Sequence, residues 1–295
     1  MLSLICAPDA AELTPALLER VNHGLAAADA KAGPIAWLDP ERAAEYPFAG
    51  DDLGVLEEIR RRLTDVPVDV NVLPAAHRRK RLLVSDMDAT AIIGETLDEL
   101  SNFTPHKAEI DNLTRQSVNG LMSFADTLVA RVQLMRGLEE SAFARTWATI
   151  EATPGMKTAI ATMRAHGAYT ALVSGGFTYF TGRVRAALGF DCDVANDLEF
   201  EGGRLTGRIP PPLIDPQAKV DTLRRLAHER ALPTAATLSI GDGSNDIPML
   251  KEAGLGIAFQ GKPKVKQEIP VWLDYAGPTG LLYLQGFRRD EFVEG

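Results

Sequence analysis

The chain has 295 residues, 45% hydrophobic and 24% charged, enough apolar material for one large domain or two modest ones and too much for disorder. Its 31 Lys and Arg stand against 40 Asp and Glu, a formal charge of −9, which excludes a general binder of nucleic acid or acidic membrane. No apolar run reaches the ~18 residues of a bilayer span, no basic n-region opens the chain, and Cys6 and Cys192 form neither a metal spacing nor a disulfide framework; the expectation is a cytoplasmic protein.

In chain order, residues 1–80 read as a small α/β unit. Leu2–Cys6 and Pro34–Leu38 are short strand candidates, and Pro15–Ala28 and Leu53–Leu63 carry apolar residues at helical spacing. Val68–Leu73 alternates apolar and polar residues, as a half-exposed strand does. The run Arg78-Arg79-Lys80-Arg81, in an acidic chain, reads as a solvated linker or strand edge and not as a nucleic-acid patch. From Arg81 the texture changes. Leu82-Leu83-Val84 is a buried strand, and residues 92–150 are almost wholly helical. After Pro154-Gly155 come a helix at Met156–His166, a strand at Tyr169–Val173 and a helix at Tyr179–Leu188. A hairpin over Val194–Ile209 turns at Gly202-Gly203. Helix Pro216–Arg230, strand Thr237–Ile240, helix Ile247–Ala253 and strand Leu255–Phe259 complete the pattern. Such alternation predicts an α/β fold with a parallel sheet, whose ligands bind beyond the carboxyl ends of the strands.

The chemistry-bearing residues fall at those ends. Leu82-Leu83-Val84 runs into Ser85-Asp86-Met87-Asp88-Ala89-Thr90, which sets two carboxylates on one loop. Such a pair can hold a hard cation, and the two groups push their pKa values apart, so that one acts as nucleophile and the other as acid. The next strand ends in Ser174-Gly175-Gly176, a hydroxyl and two glycines that let backbone N–H groups approach an anion. Lys219 follows on a helix, and Gly241-Asp242-Gly243-Ser244-Asn245-Asp246 closes the set after a further strand.

These four pieces, in this order, resemble the haloacid dehalogenase superfamily of phosphohydrolases. Asp86–Thr90, Gly94–Leu100, Ser174–Phe177 and Gly241–Val265 are similar to the phosphoserine phosphatase family within it, over about residues 81–290. The resemblance implies a Rossmann-like core with a helical cap at about 92–153, inserted after the first motif, in a phosphatase domain of residues 81–295. It implies Asp86 as the nucleophile that becomes an aspartyl-phosphate and Asp88 as general acid and then base. Mg²⁺ would sit on the Asp86 and Asp242 carboxylates and the Asp88 main-chain carbonyl. Ser174, Gly175 and Lys219 would bind the phosphate oxygens, with Asn245 and Asp246 supporting the metal and Lys219 from behind. Residues 1–80 stand where bacterial members carry an amino-acid-binding module of the ACT type. An effector site and a stabilising or dimerising appendage are equally compatible with that unit.

The substrate implied is O-phosphoserine, whose phosphate, carboxylate and ammonium each need a partner. Glu95 matches the family position for the ammonium, Arg131 the arginine that grips the carboxylate, and Phe124 an aromatic wall of the pocket. The chain departs from the family at Ala89 (usually Ser), Val118 (usually Met) and Leu121-Met122-Ser123 (usually Glu-Leu-Asp). These changes leave open another small phosphorylated metabolite, or transfer to an alcohol acceptor, as alternatives to phosphoserine hydrolysis; a vestigial enzyme serving as an amino-acid sensor is disfavoured by the complete catalytic set. Five of the implied site residues are acids and two are bases, so a bound cation is needed before an anionic substrate enters.

Overall fold

Leu82, Leu83 and Val84 are fully buried and form the third strand of a six-stranded parallel sheet in the computed structural model, which describes residues 1–8, 10–118 (without the side chain of Val118) and 121–295. The strand order is Cys192–Asn196, Tyr169–Phe177, Leu82–Ser85, Thr237–Gly241, Gly256–Phe259 and Trp272–Leu273. Near-continuous apolar strands are expected when helices cover both faces. On one face Leu82, Val84, Ala171 and Val173 meet Leu223 and Leu226 of helix Pro216–Glu229 and Met249 of helix Ile247–Glu252. On the other, Leu83, Leu172 and Ile240 join Ile160, Phe180 and Leu281 from helices Met156–Ala165, Thr178–Leu188 and Gly280–Leu284. Among the described residues no helix is long and apolar enough to cross a membrane.

The chain leaves this core after the first strand and returns through a narrow neck, where Ile92 pairs with Ala152 and Ile93 with Glu151. Between these strands lie four helices, Thr96–Ser101, Lys107–Val118, Phe124–Leu134 and Glu140–Trp147. Ser123, one of the departures from the family pattern, caps the third of them by accepting from Asp126 N at 3.0 Å, a role that Ser and Asp share. The Val118 side chain, another departure, lies outside the described residues. The expected hairpin is shorter than Val194–Ile209: Phe200–Glu201 pairs with Arg204–Leu205 across Gly202-Gly203. Cys192–Asn196 is instead an edge strand of the parallel sheet. The hairpin also holds the helical insert, with Gly137 N donating to Leu205 O (2.8 Å) and Leu205 N to Leu138 O (2.9 Å).

Residues 1–73 hold a second sheet, ordered Ala36–Asp39, Ala43–Tyr46, Leu2–Cys6, Val68–Val72; its four strands and the two helices follow one another as β-α-β-β-α-β, while the short strands Lys31–Ala32 and Phe48–Ala49 pair separately. Side chains alternate between its faces. Leu2, Leu4, Ala44, Val68 and Val70 pack on helices Pro15–Ala27 and Asp52–Arg62. The expectation of a half-exposed strand at Val68–Leu73 is corrected here, because Asp69 and Asn71 are buried. Asp69 Oδ1 accepts from Asp274 N (2.8 Å), and Oδ2 accepts from Tyr275 N (3.1 Å) and Ala276 N (2.8 Å). Asn71 exchanges two bonds with the main chain of Trp272, both 2.8 Å. Periodicity marks a polar face but does not say whether water or another domain covers it. Arg78 likewise is no solvated linker residue: it pairs with Glu45 and donates to Leu284 O (3.0 Å), while Lys80 Nζ donates to Ala235 O (2.8 Å).

Burial pushes the Asp69 carboxyl up to about 6, against the pull of its three amide donors. Because the folded value exceeds the unfolded one, its contribution to stability is full below about pH 4 and is lost as pH rises through 6. The stability of the native chain relative to Asp69→Asn is therefore expected to fall by about 2–3 kcal/mol between pH 4 and pH 7 in urea titrations. A difference that does not change with pH contradicts this.

Candidate active site

Three neighbouring strands deliver the site. Ser85 is in register with Leu172 on one side and Ile240 on the other, so the residues just beyond them emerge side by side. Asp86 N donates to Ile240 O at 3.0 Å, which carries the ladder one residue into the loop. The loop then turns through Ala89, whose φ of 50° is left-handed and costs an alanine about 1–2 kcal/mol. Ala89 N donates to Gly94 O at 2.8 Å, which helps hold that turn.

Asp86, Asp88, Glu95, Phe124, Arg131, Ser174, Gly175, Asp242 and Asn245 all line one cavity of about 90 Å³, together with Lys262. Lys219 and Asp246 lie behind it. Lys219 is 1% exposed; its Nζ is 2.8 Å from Asp86 Oδ1 and 2.7 Å from Asp246 Oδ1. Asp86 Oδ1 also accepts from Met87 N at 2.8 Å, leaving Oδ2 without a hydrogen bond among the described residues. Burial opposes the Lys219 charge, but Asp246 and Asp86 outweigh it and hold its pKa above the ordinary value. Two carboxylates then share one cation. The excess falls on Asp246, which burial and the neighbouring Asp86 charge push up. Asp246 Oδ2 is further tied to Gly243 N at 3.0 Å.

Asp88 is turned away from this triad. Its Oδ1 accepts from Thr96 N (2.7 Å), and its Oδ2 is 3.5 Å from Ser174 Oγ. Burial, with Asp86 adding, pushes its carboxyl up to about 6 while the Thr96 bond pulls it down, so Asp88 can both carry and give up a proton near neutrality. Ser174 Oγ accepts from Gly176 N at 2.8 Å, and Asn196 Nδ2 donates to Gly175 O at 2.9 Å, fixing the loop.

The insert closes the cavity from above. A Cβ on Gly175 would come within 2.4 Å of Phe124 Cζ, so Phe124 rests where only glycine leaves room. Arg131 Nη1 donates to Thr114 Oγ1 (3.2 Å), while its Nε is buried without a partner among the described residues. Glu95 stands at the rim with its side chain 47% exposed; partial burial and the Asp88 charge push its carboxyl up, and Lys262 pulls it back. A larger cavity of about 690 Å³ lies between the hairpin and the insert, lined by Gln133, Arg136, Arg204 and Arg208. None of the sequence-predicted site residues lines it, and we assign the chemistry to the smaller cavity.

Carboxylate oxygens of Asp86, Asp242 and Asp246 lie within 4.8 Å of one another, and all three residues are buried. An all-oxygen set without His or Cys suits a hard divalent cation and not a soft one. Asp246 thus stands in the carboxylate cluster itself as well as behind Lys219. Sequence reasoning missed Lys262, which pairs with Asp242 Oδ2 at 2.9 Å. The available signal was its place just beyond the carboxyl end of strand Gly256–Phe259.

A profile of the haloacid dehalogenase-like hydrolases matches residues 83–251. The chain belongs to that family. Its curated relatives there include a phosphoserine phosphatase of Streptomyces coelicolor, 36% identical over 260 residues and covering 85% of this chain. Another, of Idiomarina loihiensis, is 40% identical over 215 residues, covering 72% of this chain and 96% of the relative. The chain spans 63% of the length of the Streptomyces protein. Among solved structures, a probable phosphoserine phosphatase from Vibrio cholerae superposes with a TM-score of 0.80 at 26% identity, covering 98% of this chain and 87% of that one.

Removing Lys219 leaves two buried carboxylates with no cation between them. Lys219→Met is expected to lose about 3–5 kcal/mol of stability in urea unfolding at pH 8, and less at pH 5, where a proton replaces the ammonium. Adding Asp246→Asn should recover part of the loss; an unchanged stability in the single variant contradicts the account of the triad.

Proposed function

We propose that the chain hydrolyses O-phosphoserine to serine and phosphate. The observation that carries this reading is the pairing, across one cavity of about 90 Å³, of a nucleophile–acid pair with an anionic and a cationic group for an amino acid. Asp86 and Asp88 supply the first pair, Glu95 and Arg131 the second. The buried Arg131 Nε–H, without a partner among the described residues, supports a role in anion binding, and a planar guanidinium takes a carboxylate in two bonds. The names of the curated relatives support the same substrate.

In this mechanism one carboxylate oxygen of Asp86 attacks phosphorus, while Met87 N and Lys219 hold the carboxylate in place through Oδ1. Lys219 orients the nucleophile and offsets its charge as the phosphate approaches. Asp88 gives its proton to the departing serine oxygen, then takes one from the water that cleaves the aspartyl-phosphate. Ser174 and the Gly175 backbone bind the phosphate oxygens. Phe124 excludes water from the closed cavity. We assign Mg²⁺ to the Asp86 and Asp242 carboxylates and the Asp88 main-chain carbonyl, with Asn245 and Asp246 supporting it. Bound there, it would supply the positive charge that lets two anions meet.

We assign residues 1–80 to a module of ACT type, supported by the β-α-β-β-α-β order of its four-stranded sheet and two helices, and residues 81–295 to the phosphatase domain, capped at about 92–153. Its sheet face is taken up by the bonds of Asp69 and Asn71 to the phosphatase domain, which favours a stabilising role over effector binding.

With phosphoserine and Mg²⁺, phosphate release is expected from the native chain and not from Asp86→Asn. Asp88→Asn should lose about 10²–10⁴-fold in kcat. Arg131→Ala should raise KM about 10–100-fold with a smaller change in kcat, as loss of a charge-assisted pair predicts. A preference for an amine-free phosphate ester over phosphoserine in a substrate panel contradicts the proposal.

A further inference from the structure

Lys262 faces two acids at once. Its Nζ lies 2.9 Å from Asp242 Oδ2 and 3.9 Å from Glu95 Oε1. Its backbone is fixed, with Lys262 N donating to Asp242 O at 3.1 Å. Its side chain is 49% exposed and borders both the catalytic cavity and an adjoining one of about 270 Å³, which Glu95, Arg131, Ser244 and Lys264 also line. Lys219 is the contrast, 1% exposed and locked between two carboxylates. The site therefore holds one lysine that is fixed and one with room to leave.

Asp242 belongs to the carboxylate cluster that suits a divalent cation, and Glu95 is the acid assigned above to the substrate's ammonium. The Lys262 ammonium thus covers, with one side chain, the acids that both incoming cations need. Cations crowded onto the same oxygens repel one another strongly where water is scarce.

We propose that Lys262 is an exchangeable counter-ion, displaced from Asp242 by the divalent cation and from Glu95 by the substrate's ammonium, and that it thereby sets metal affinity and the discrimination between amine-bearing and amine-free phosphate esters. The Glu95 half rests on the proposed function; the Asp242 half does not. The displaced side chain can swing outward into solvent, to which it is already half open. An amine-free ester leaves Lys262 on Glu95 and so avoids facing a bare carboxylate. Without Lys262 that cover is lost, and an amine-bearing ester no longer has a competitor.

The test compares the full chain with Lys262→Gln and Lys262→Arg. Titrated calorimetrically with Mg²⁺ alone at fixed ionic strength, the Gln variant is expected to bind about tenfold more tightly, and the Arg variant, which keeps the charge, close to the native chain. The ratio of kcat/KM for phosphoserine over O-phospho-3-hydroxypropionate, which lacks only the amine, should rise several-fold in the Gln variant. Unchanged or weaker Mg²⁺ binding in that variant overturns the displacement from Asp242. Tighter binding with an unchanged substrate ratio overturns the displacement from Glu95. Failure of the phosphoserine reading would show separately, as absence of phosphoserine turnover by the native chain, and would leave the Mg²⁺ titration intact as a test.

Discussion

Lys219 sits almost wholly out of water between the carboxylates of Asp86 and Asp246, at 2.8 and 2.7 Å. A single buried carboxylate would be costly in that position, and a single buried ammonium no less so. Together they tie three elements: the loop after Leu82–Ser85, the helix Pro216–Glu229 and the loop after Thr237–Gly241. The orientation of Asp86, the proposed nucleophile, follows from this tie, because Oδ1 is committed to Lys219 and Met87 N while Oδ2 has no hydrogen bond among the described residues. The surplus of negative charge follows too. Asp242 lies next to the triad with only the half-exposed Lys262 on it, so the site is short of positive charge where a cation and a phosphate are to meet.

The division of labour between core and insert follows from the same constraint. A site so charged works only if water is kept out while the reaction proceeds, since charge interactions weaken in a high dielectric. The insert does this with apolar groups, Phe124 above Gly175 and Leu97 and Leu128 at the wall, and brings one cation, Arg131, with its Nε unspent. It is attached at two places, the Ile92–Ile93 neck and the hairpin that bonds to Gly137 and Leu138. The N-terminal unit stands apart from this chemistry and is bound to the core by Asp69, Asn71 and Arg78.

Much of this was legible in the sequence, for reasons that particular residues make clear. Asp86, Ser174 and Asp242 each follow an apolar run flanked by helical segments, and in a parallel sheet that position alone brings them together. Lys219 was legible only by its order among the motifs, since one lysine on a helix carries no signal of burial. Lys262 was missed although it follows the strand Gly256–Phe259, because a single lysine in a loop carries no sign that it pairs with Asp242 and Glu95. Two strands failed for the same kind of reason. Cys192–Asn196 is an edge strand with Asp193 and Asn196 in it and reads as part of a hairpin. Val68–Val72 reads as half-exposed because the polar residues that face a distant segment of the chain look like those that face water.

The central claim is that phosphoryl transfer passes through Asp86. The direct measurement is rapid acid quench of the chain during turnover of phosphoserine with Mg²⁺, followed by mass spectrometry of the peptide that contains Asp86 and Asp88. The account predicts a phosphoryl group on Asp86 that disappears on continued incubation and that is absent when Asp86 is replaced by Asn. Turnover with no phosphorylated peptide, or with the phosphoryl group on another residue, would contradict it.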